Sequence, residues 1–280
     1  MDKHFLETIN TLIEIGLKED INTGDLTTDL LIPAQRQSEA IMIAKADGII
    51  AGLFVAEAVF RKLDSNIVFQ ASVKDGDKVT KGQLICTIKG AYRALLTGER
   101  LALNFLQRMS GIATATSEYV EAVKEYKTEI LDTRKTVPGL RVLDKYAVKA
   151  GGGTNHRIGL FDMVLIKDNH ISVAGGITNA VNAIRPNISK DIKIEVETTT
   201  LDEVKEALAM NVDIIMLDNM DNATMTEAVK IINGKAKVEA SGNMNLKRVR
   251  EVAATGVDFI SIGALTHSVT ALDISQKIKE

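Results

Sequence analysis

Apolar residues recur at Phe5, Ile9, Leu12, Ile13 and Leu17, the spacing of one helix face, so the chain is expected to open on an amphipathic helix. Asp25, Leu26, Thr27 and Thr28 read as a loop. The period then changes. Residues 39–46 alternate as a strand, 55–63 return to helical spacing, 66–73 form a strand that runs into an Asp-Gly turn at 74–77, and 83–89 are a further strand. These elements make an α+β unit, sandwich-like and expected over residues 1–110. A long helical pattern covers residues 92–126 with Glu99 and Arg100 inside it, and Ser110 and Gly111 are the expected break. Leu101, Leu103, Phe105 and Leu106 around Arg100 form an apolar set suited to packing against a second subunit.

From residue 128 the pattern becomes short apolar runs alternating with amphipathic helices. The runs are 130–132, 163–166, 192–197, 214–217, 238–240 and 259–262; the helical segments are 139–150, 176–184, 201–209, 225–232, 246–254 and 272–278. Repeated strand-then-helix units mean parallel strands joined by right-handed crossovers. Glu197 to Asp218 and Asp218 to Glu239 are each 21 residues, and Glu239 to Gly263 is 24, the rhythm of a closed or nearly closed α/β barrel over residues 111–280. An open doubly wound sheet would announce itself with a Gly-rich first turn of the dinucleotide-binding kind, which is missing here.

Composition narrows the class. The chain has 280 residues, 45% hydrophobic, 25% charged and 4% aromatic, which excludes disordered and fibrous proteins. Cys86 is the only cysteine and lies in an apolar run, so it is expected in the core, with no intramolecular disulfide and a reducing compartment. The first residues lack the basic and uncharged apolar regions of an export signal, and a cytoplasmic location is expected. The longest apolar stretch, 48–56, is far below the roughly 20 residues of a membrane helix. A net charge of −3 offers no general field for nucleic acid or an anionic membrane. The charge is uneven, however. Residues 134–167 hold seven Lys/Arg against two Asp/Glu, either a solvated basic face or an anion site.

Placement of the polar residues bears on that choice. In barrels the catalytic groups gather at the carboxyl ends of the strands. Here the six runs end in Asp132-Thr133-Arg134-Lys135, in Lys167-Asp168-Asn169-His170, in Glu195 and Glu197, in Asp218-Asn219, in Glu239-Ser241-Gly242 and in Gly263. Helix caps account for one or two such ends, not for all of them. Arg134, Lys135, Arg157 and Lys167 suit carboxylates or phosphates, so a polyanionic small substrate is implied. Glu197 and Asp218 offer hard oxygens on adjacent strand ends, as a Mg²⁺ that also binds phosphate requires, although an Arg–Glu network closing the barrel mouth would use the same residues. Gly151, Gly152 and Gly153 let a loop pass close over a ligand, or mark a plain flexible loop.

These residues also carry a family resemblance. Residues 132–141 (DTRKTVPGLR), 145–148 (KYAV), 151–157 (GGGTNHR) and 165–170 (LIKDNH) closely resemble the quinolinate phosphoribosyltransferase family, also called carboxylating nicotinate-nucleotide pyrophosphorylases. Residues 100–104, 109–114 (MSGIAT), 195–197 (EVE), 217–219 (LDN), 239–242 (EASG) and 263–268 (GALTHS) resemble it in the same order, so the likeness covers nearly the whole chain. It implies an N-terminal α/β domain followed by an open barrel of fewer than eight strands, working as a homodimer or an assembly of dimers. It implies transfer of a phosphoribosyl group from phosphoribosyl pyrophosphate to quinolinate, with Mg²⁺, giving nicotinate mononucleotide, pyrophosphate and CO₂ in de novo NAD synthesis. By position, the quinolinate-binding residues fall on Arg134, Lys135, His156, Arg157 and Lys167, with Arg100 reaching in from a neighbouring subunit. The phosphoribosyl and metal side falls on Glu197, Asp218, Ser241, Gly242, Gly263 and His267, and Thr133, Asn243 and Ala264 complete the substrate-binding set. Lys135, Glu197 and Asp218 are the expected catalytic residues. Asn243 departs from members that carry Gly after Ser-Gly.

Three other readings compete for these residues. One is a related phosphoribosyltransferase acting on another anionic acceptor. A barrel aldolase or decarboxylase with Lys167 or Lys135 as a Schiff-base amine is disfavoured by the neighbouring arginines and by the carboxylate pair. Residues 73–88 resemble the hairpin of biotinyl or lipoyl carriers without the modifiable Met-Lys-Met turn. His4 and His170 receive no functional role.

Overall fold

The first helix, α1 (Lys3–Ile21), follows the expected spacing and buries Ile9 and Ile13. This computed structural model describes residues 3–279, with the side chain of His4 outside the described set. The segment read as a loop at 25–28 starts a helix instead. Asp25 caps α2 (Leu26–Leu31) by accepting the Thr28 backbone N–H at 3.0 Å, as a short acidic side chain does at a helix N-terminus. There follow β1 (Gln37–Ala44), β2 (Gly48–Ile49), α3 (Leu53–Leu63), β3 (Val68–Ala71), β4 (Lys78–Val79) and β5 (Leu84–Ala91). Cys86 is fully buried in β5, and burial pushes its thiol up to about 12, so it serves the core.

The long helical pattern is two helices, α4 (Tyr92–Thr97) and α5 (Glu99–Val123), parted at Gly98 rather than at Ser110-Gly111. The two expected breakers are packing devices. Ser110 Oγ and Thr114 Oγ1 accept the backbone N–H groups of Ala51 and Ile49 at 3.0 and 2.8 Å. Gly111 admits residues 270–271 against the helix, where an added Cβ would come within 2.2 Å of the Thr270 carbonyl oxygen. Leu101, Leu103 and Leu106 are already covered by the chain itself, which corrects the expectation that they face a second subunit.

The rest of the chain contains β6 (Glu129–Leu131), α6 (Arg141–Ala150), β7 (Val164–Ile166), α7 (Asp168–Ala174), α8 (Ile177–Ile184), β8 (Ile194–Thr198) and α9 (Leu201–Ala209). It ends with β9 (Ile214–Asp218), α10 (Asn222–Ile232), β10 (Lys237–Ser241), α11 (Val249–Ala253), β11 (Phe259–Ser261), α12 (Ala264–His267) and β12 (Ile274–Lys279). The six apolar runs are β6 to β11, one parallel sheet in the order β6-β11-β10-β9-β8-β7. Since β6 and β7 stand at opposite ends of that order, the barrel is open, as expected. Residues 272–278, read as a helix, are a strand: β12 runs antiparallel to β1, with Ile274 opposite Ala44 and Ile278 opposite Ala40. Two isoleucines four apart satisfy either period, and the unpaired backbone groups along the β1 edge decide in favour of the strand.

Contacts divide the chain into two compact units, Met1–Ser117 with Thr136–Gly152 and Leu265–Glu280, and Glu118–Lys135 with Gly153–Ala264. The segments of the two units interleave along the chain. Segment β12 joins the first unit by completing the antiparallel sheet β12-β1-β5-β3. Helix α6 joins it through Tyr146, whose ring meets Phe54 and Phe5 at 4.9 and 6.0 Å, and through Asp144, a fully buried carboxylate that takes a two-pronged bond from Arg108 at 3.0 and 2.8 Å.

Alanine at a mid-helix glycine is ordinarily favourable by up to about 1 kcal/mol. At Gly111 the sign should reverse, because the backbone of residues 270–271 cannot yield to a methyl group. Gly111→Ala is expected to destabilise the chain by about 1–3 kcal/mol in thermal or denaturant unfolding; an unchanged or raised midpoint would refute the close approach.

Candidate active site

Alternation along the barrel strands builds the site. Successive residues of a strand face opposite sides, so Leu165 and Lys167, Glu195 and Glu197, Met216 and Asp218, and Glu239 and Ser241 are pairs on the interior face. The register sets them in rows: Glu197 is opposite Met216, Met216 opposite Glu239, and Asp218 opposite Ser241. Together with Thr133, Arg134, Lys135, His156, Arg157, Gly242 and Asn243, most of these residues line one cavity of about 640 Å³. That volume suits a small-molecule site. Gly263 and Ala264, just past β11, do not line it, whereas Ser261 does. Arg100, exposed on α5, and His267, whose Nδ1 lies 2.8 Å from Ser268 Oγ, belong to the first unit.

Three carboxylates with no solvent exposure underlie the site, Asp132, Glu195 and Glu239, and the last of them lines the cavity floor. Asp132 pins the loop that follows the glycine run, accepting the His156 backbone N–H at 2.9 Å and the Asn155 side-chain amide at 2.6 Å. Thr154 also joins the edge of β6, its N–H reaching the Ile130 carbonyl at 2.8 Å. The loop thus carries His156 to the strand ends. His156 Nε2 stands 2.9 Å from Glu195 Oε2 and 3.3 Å from Glu239 Oε2. The first is a hydrogen bond; the second is an ion-pair distance without hydrogen-bond alignment, and neither Glu239 oxygen accepts a hydrogen bond from the described residues. Burial opposes charge on the ring, but the two carboxylates outweigh it and raise His156 to about 10. Burial, then repulsion from Glu239, pushes Glu195 well above the ordinary carboxylate range.

Above this floor stand the cations. Arg157 donates to the Met163 carbonyl at 3.0 Å, and burial followed by the nearby Arg134 guanidinium lowers its pKa. Lys167 Nζ reaches Glu197 Oε2 at 3.2 Å. His170 accepts the Lys167 backbone N–H at 3.0 Å on Nδ1, which makes it a cap for the start of α7. At the mouth, Asn219, Gly242 and Asn243 all adopt positive φ, and a Cβ at Gly242 would strike the Asn219 side chain at 2.2 Å. Asn243 donates to Asn219 at 3.1 Å, and Asn219 to Asp218 at 2.9 Å. Arg248 ties this loop to the preceding one through the carbonyls of Gly242 and Met220, at 3.2 and 2.8 Å. Sequence reasoning gave no role to Glu195, Glu239, Asn219 or Arg248. For the two glutamates the available signal was their spacing, each two residues before an expected site residue and so on the same face one layer deeper.

Glu197 and Asp218 fit a divalent cation: both line the cavity from neighbouring strands, and their hard oxygens suit Mg²⁺. His156, Glu195 and Glu239 also bring ligand-type atoms within 4.8 Å of one another, but the short Nε2–Oε2 contact makes them an ion-pair cluster. Neither lysine of the cavity is buried, which removes the desolvation a Schiff-base amine depends on.

A parallel α/β barrel with cations and paired carboxylates at the carboxyl ends of its strands is an enzyme-type site for a polyanionic small molecule. The family models of the quinolinate phosphoribosyl transferase N-terminal and C-terminal domains match residues 25–110 and 112–277. The chain belongs to that family. A probable nicotinate-nucleotide pyrophosphorylase (carboxylating) from Synechocystis is 48% identical, covering 96% of this chain and 92% of its own. A decarboxylating quinolinate phosphoribosyltransferase of Nicotiana tabacum is 46% identical over 95% of this chain and 81% of its own. The solved nicotinate-nucleotide pyrophosphorylase of Francisella tularensis superposes with a TM-score of 0.94 at 44% identity, covering 98% of this chain and 96% of that one.

The His156 ring binds its proton more tightly in the folded chain, near 10, than at its ordinary value of 6.5. Its contribution to stability is therefore complete below about 6.5 and is lost as pH rises through about 10. Across that range the wild-type unfolding midpoint should fall more steeply than that of His156→Gln; parallel curves would exclude a charged His156.

Proposed function

We propose that this chain transfers the phosphoribosyl group of phosphoribosyl pyrophosphate to quinolinate with loss of CO₂, giving nicotinate mononucleotide and pyrophosphate in de novo NAD synthesis. The observation that carries the reading is one cavity in which Arg134, Lys135, Arg157 and Lys167 meet Glu197 and Asp218, in a chain of this family. Quinolinate brings two adjacent carboxylates and the donor brings a phosphate and a pyrophosphate, so both substrates call for the local basic excess. Arg134, His156 and Arg157 hold the acceptor's carboxylates, and Ser241, Gly242 and Asn243, with Gly263 and Ala264 beyond β11, form the phosphate side. Glu197 and Asp218 would hold Mg²⁺, which supplies charge neutralisation for the departing pyrophosphate. The pyridine nitrogen attacks the ribosyl carbon as pyrophosphate leaves. The ribosylated ring is then cationic and stabilises the carbanion left when the carboxylate departs as CO₂. Lys135 is our assignment for delivering the proton.

The same reading takes Mg²⁺ as cofactor, the cytoplasm as location and at least a homodimer as the active unit, with Arg100 acting in the partner's site and His267 on the phosphate side. Support for a second copy comes from exposed apolar side chains, Leu26, Leu30 and Leu31 on α2 and Leu160 and Phe161 in the loop after Arg157, all more than 70% exposed. No helix among the described residues is long and apolar enough to cross a membrane.

Purified protein supplied with quinolinate, phosphoribosyl pyrophosphate and Mg²⁺ should release CO₂ and nicotinate mononucleotide together, and only with all three present. Equal turnover of nicotinate, which lacks the second carboxylate, would sink the assignment of quinolinate.

The placement of Arg100 is tested by mixing. Arg100→Ala and Lys135→Ala chains should each be nearly inactive alone, yet a mixed dimer holds one doubly defective site and one intact site. Each mixed dimer should therefore carry up to about half of a dimer's activity by simple counting, about a quarter in bulk after random exchange of equal amounts. Mixed dimers without recovered activity would show that Arg100 serves its own subunit or none.

A further inference from the structure

We propose that Glu195 and Glu239 are positioning residues of the acceptor subsite, two buried carboxylates that seat the His156 ring against the cavity floor. The inference deepens the function proposed above and rests on it for the identity of the acceptor. Three observations lead to it. Both side chains are fully buried inside the barrel, where an uncompensated carboxylate is strongly disfavoured, so their presence calls for a partner. The described groups facing them are limited: Glu195 Oε1 and both Glu239 oxygens accept no hydrogen bond, and His156 Nε2, at 2.9 and 3.3 Å, is the one cation placed between them. The seat is also held from a second side, because Asp132 fixes the backbone of the same residue at 2.9 Å.

The two carboxylates act differently. Glu195 accepts the Nε2 proton and so sets the plane of the ring; Glu239, 3.3 Å from the same nitrogen, adds a second charge and lies close enough to Glu195 to raise its pKa. Arg157, whose charge Glu195 and Asp162 support and Arg134 opposes, lies in the field of the same buried glutamate. With both glutamates in place, the ring is a fixed cation in the wall of a cavity that must take an acid. Without them it becomes a neutral ring that has lost this seat, and the cavity loses a positive charge it had facing the substrate. This is the arrangement by which a carboxylate behind a histidine fixes both its orientation and its basicity.

The test has two arms. In ¹⁵N-histidine spectra of the protein without substrate, with the signal assigned by its loss in His156→Gln, the ring should be doubly protonated at about pH 8, above the usual histidine range. Glu195→Gln/Glu239→Gln should make it neutral. A neutral ring in the wild type, or a ring still doubly protonated in the double variant, would overturn the proposal. This arm does not depend on the reaction, so it separates failure of the seat from failure of the functional reading. In steady-state kinetics each single variant should raise the KM for quinolinate about tenfold or more, with the KM for phosphoribosyl pyrophosphate nearly unchanged. In the His156→Gln background the same substitutions should add no further rise. An additive rise, or an equal rise in both KM values, would mean that the glutamates support the fold rather than the histidine. Glu239→Gln leaves the shorter contact of His156 with Glu195 in place and is the variant that keeps the test open should the double substitution unfold the chain.

Discussion

Three carboxylates without access to water lie at the centre of the barrel, and their burial is the constraint the rest of the site answers to. Asp132, Glu195 and Glu239 come from β6, β8 and β10 or the residue just beyond, alternate strands of the parallel sheet, and such residues share a layer inside a barrel. An ionised carboxylate in that place survives only with hydrogen bonds or a counter-charge. The chain supplies both through one short loop, whose backbone and Asn155 side chain satisfy Asp132 while the His156 ring satisfies the glutamates. The loop's conformation and the charge state of the floor are thus a single problem with a single solution.

That floor sets the conditions for the cations above it. Burial and the neighbouring Arg134 guanidinium weaken Arg157's hold on its proton, and Glu195 works against that repulsion. A basic wall poised in this way is uncomfortable alone and is relieved by an acidic ligand, which is what a binding site for anions requires. On the other side of the cavity Lys167 and Glu197 compensate one another, and Asp218 is oriented by Asn219, itself held in a left-handed conformation by its contact with Asn243 and by the absence of a side chain at Gly242. One half of the cavity therefore offers positive charge and the other offers oriented oxygens, matching the acidic acceptor and the phosphorylated donor of this family's reaction.

The first unit illustrates how close packing overrides local preference. Ser110 and Gly111 carry the signature of a helix break, yet α5 runs through them because a hydroxyl is needed to satisfy the backbone of Ala51 and a missing Cβ is needed to admit residue 270. The real break, at Gly98, has a glycine too, so composition alone could not choose between them. Leu101, Leu103 and Leu106 make the same point, since an apolar stripe has no mark that tells a partner subunit from the chain's own core.

The rhythm of strands and helices was legible in the chain itself, because a buried parallel strand must be an apolar run, a covering helix must be amphipathic, and crossover geometry permits one hand. The polar residues at strand ends were legible for a related reason: a barrel has one face where such residues converge, so their order along the chain already places Arg134, Lys167, Glu197, Asp218 and Ser241 around one opening. The strand at 274–279 and the membership of α6 were not, because each is decided by a partner remote in sequence: β1 for the strand edge, Phe5 and Arg108 for the helix. The buried floor belongs to the same class. Glu195 and Glu239 are ordinary polar letters in apolar strands until the sheet curls and brings β8 and β10 to either side of one imidazole; charge compensation at 2.9 and 3.3 Å is a property of three dimensions, and only the tertiary structure could supply it.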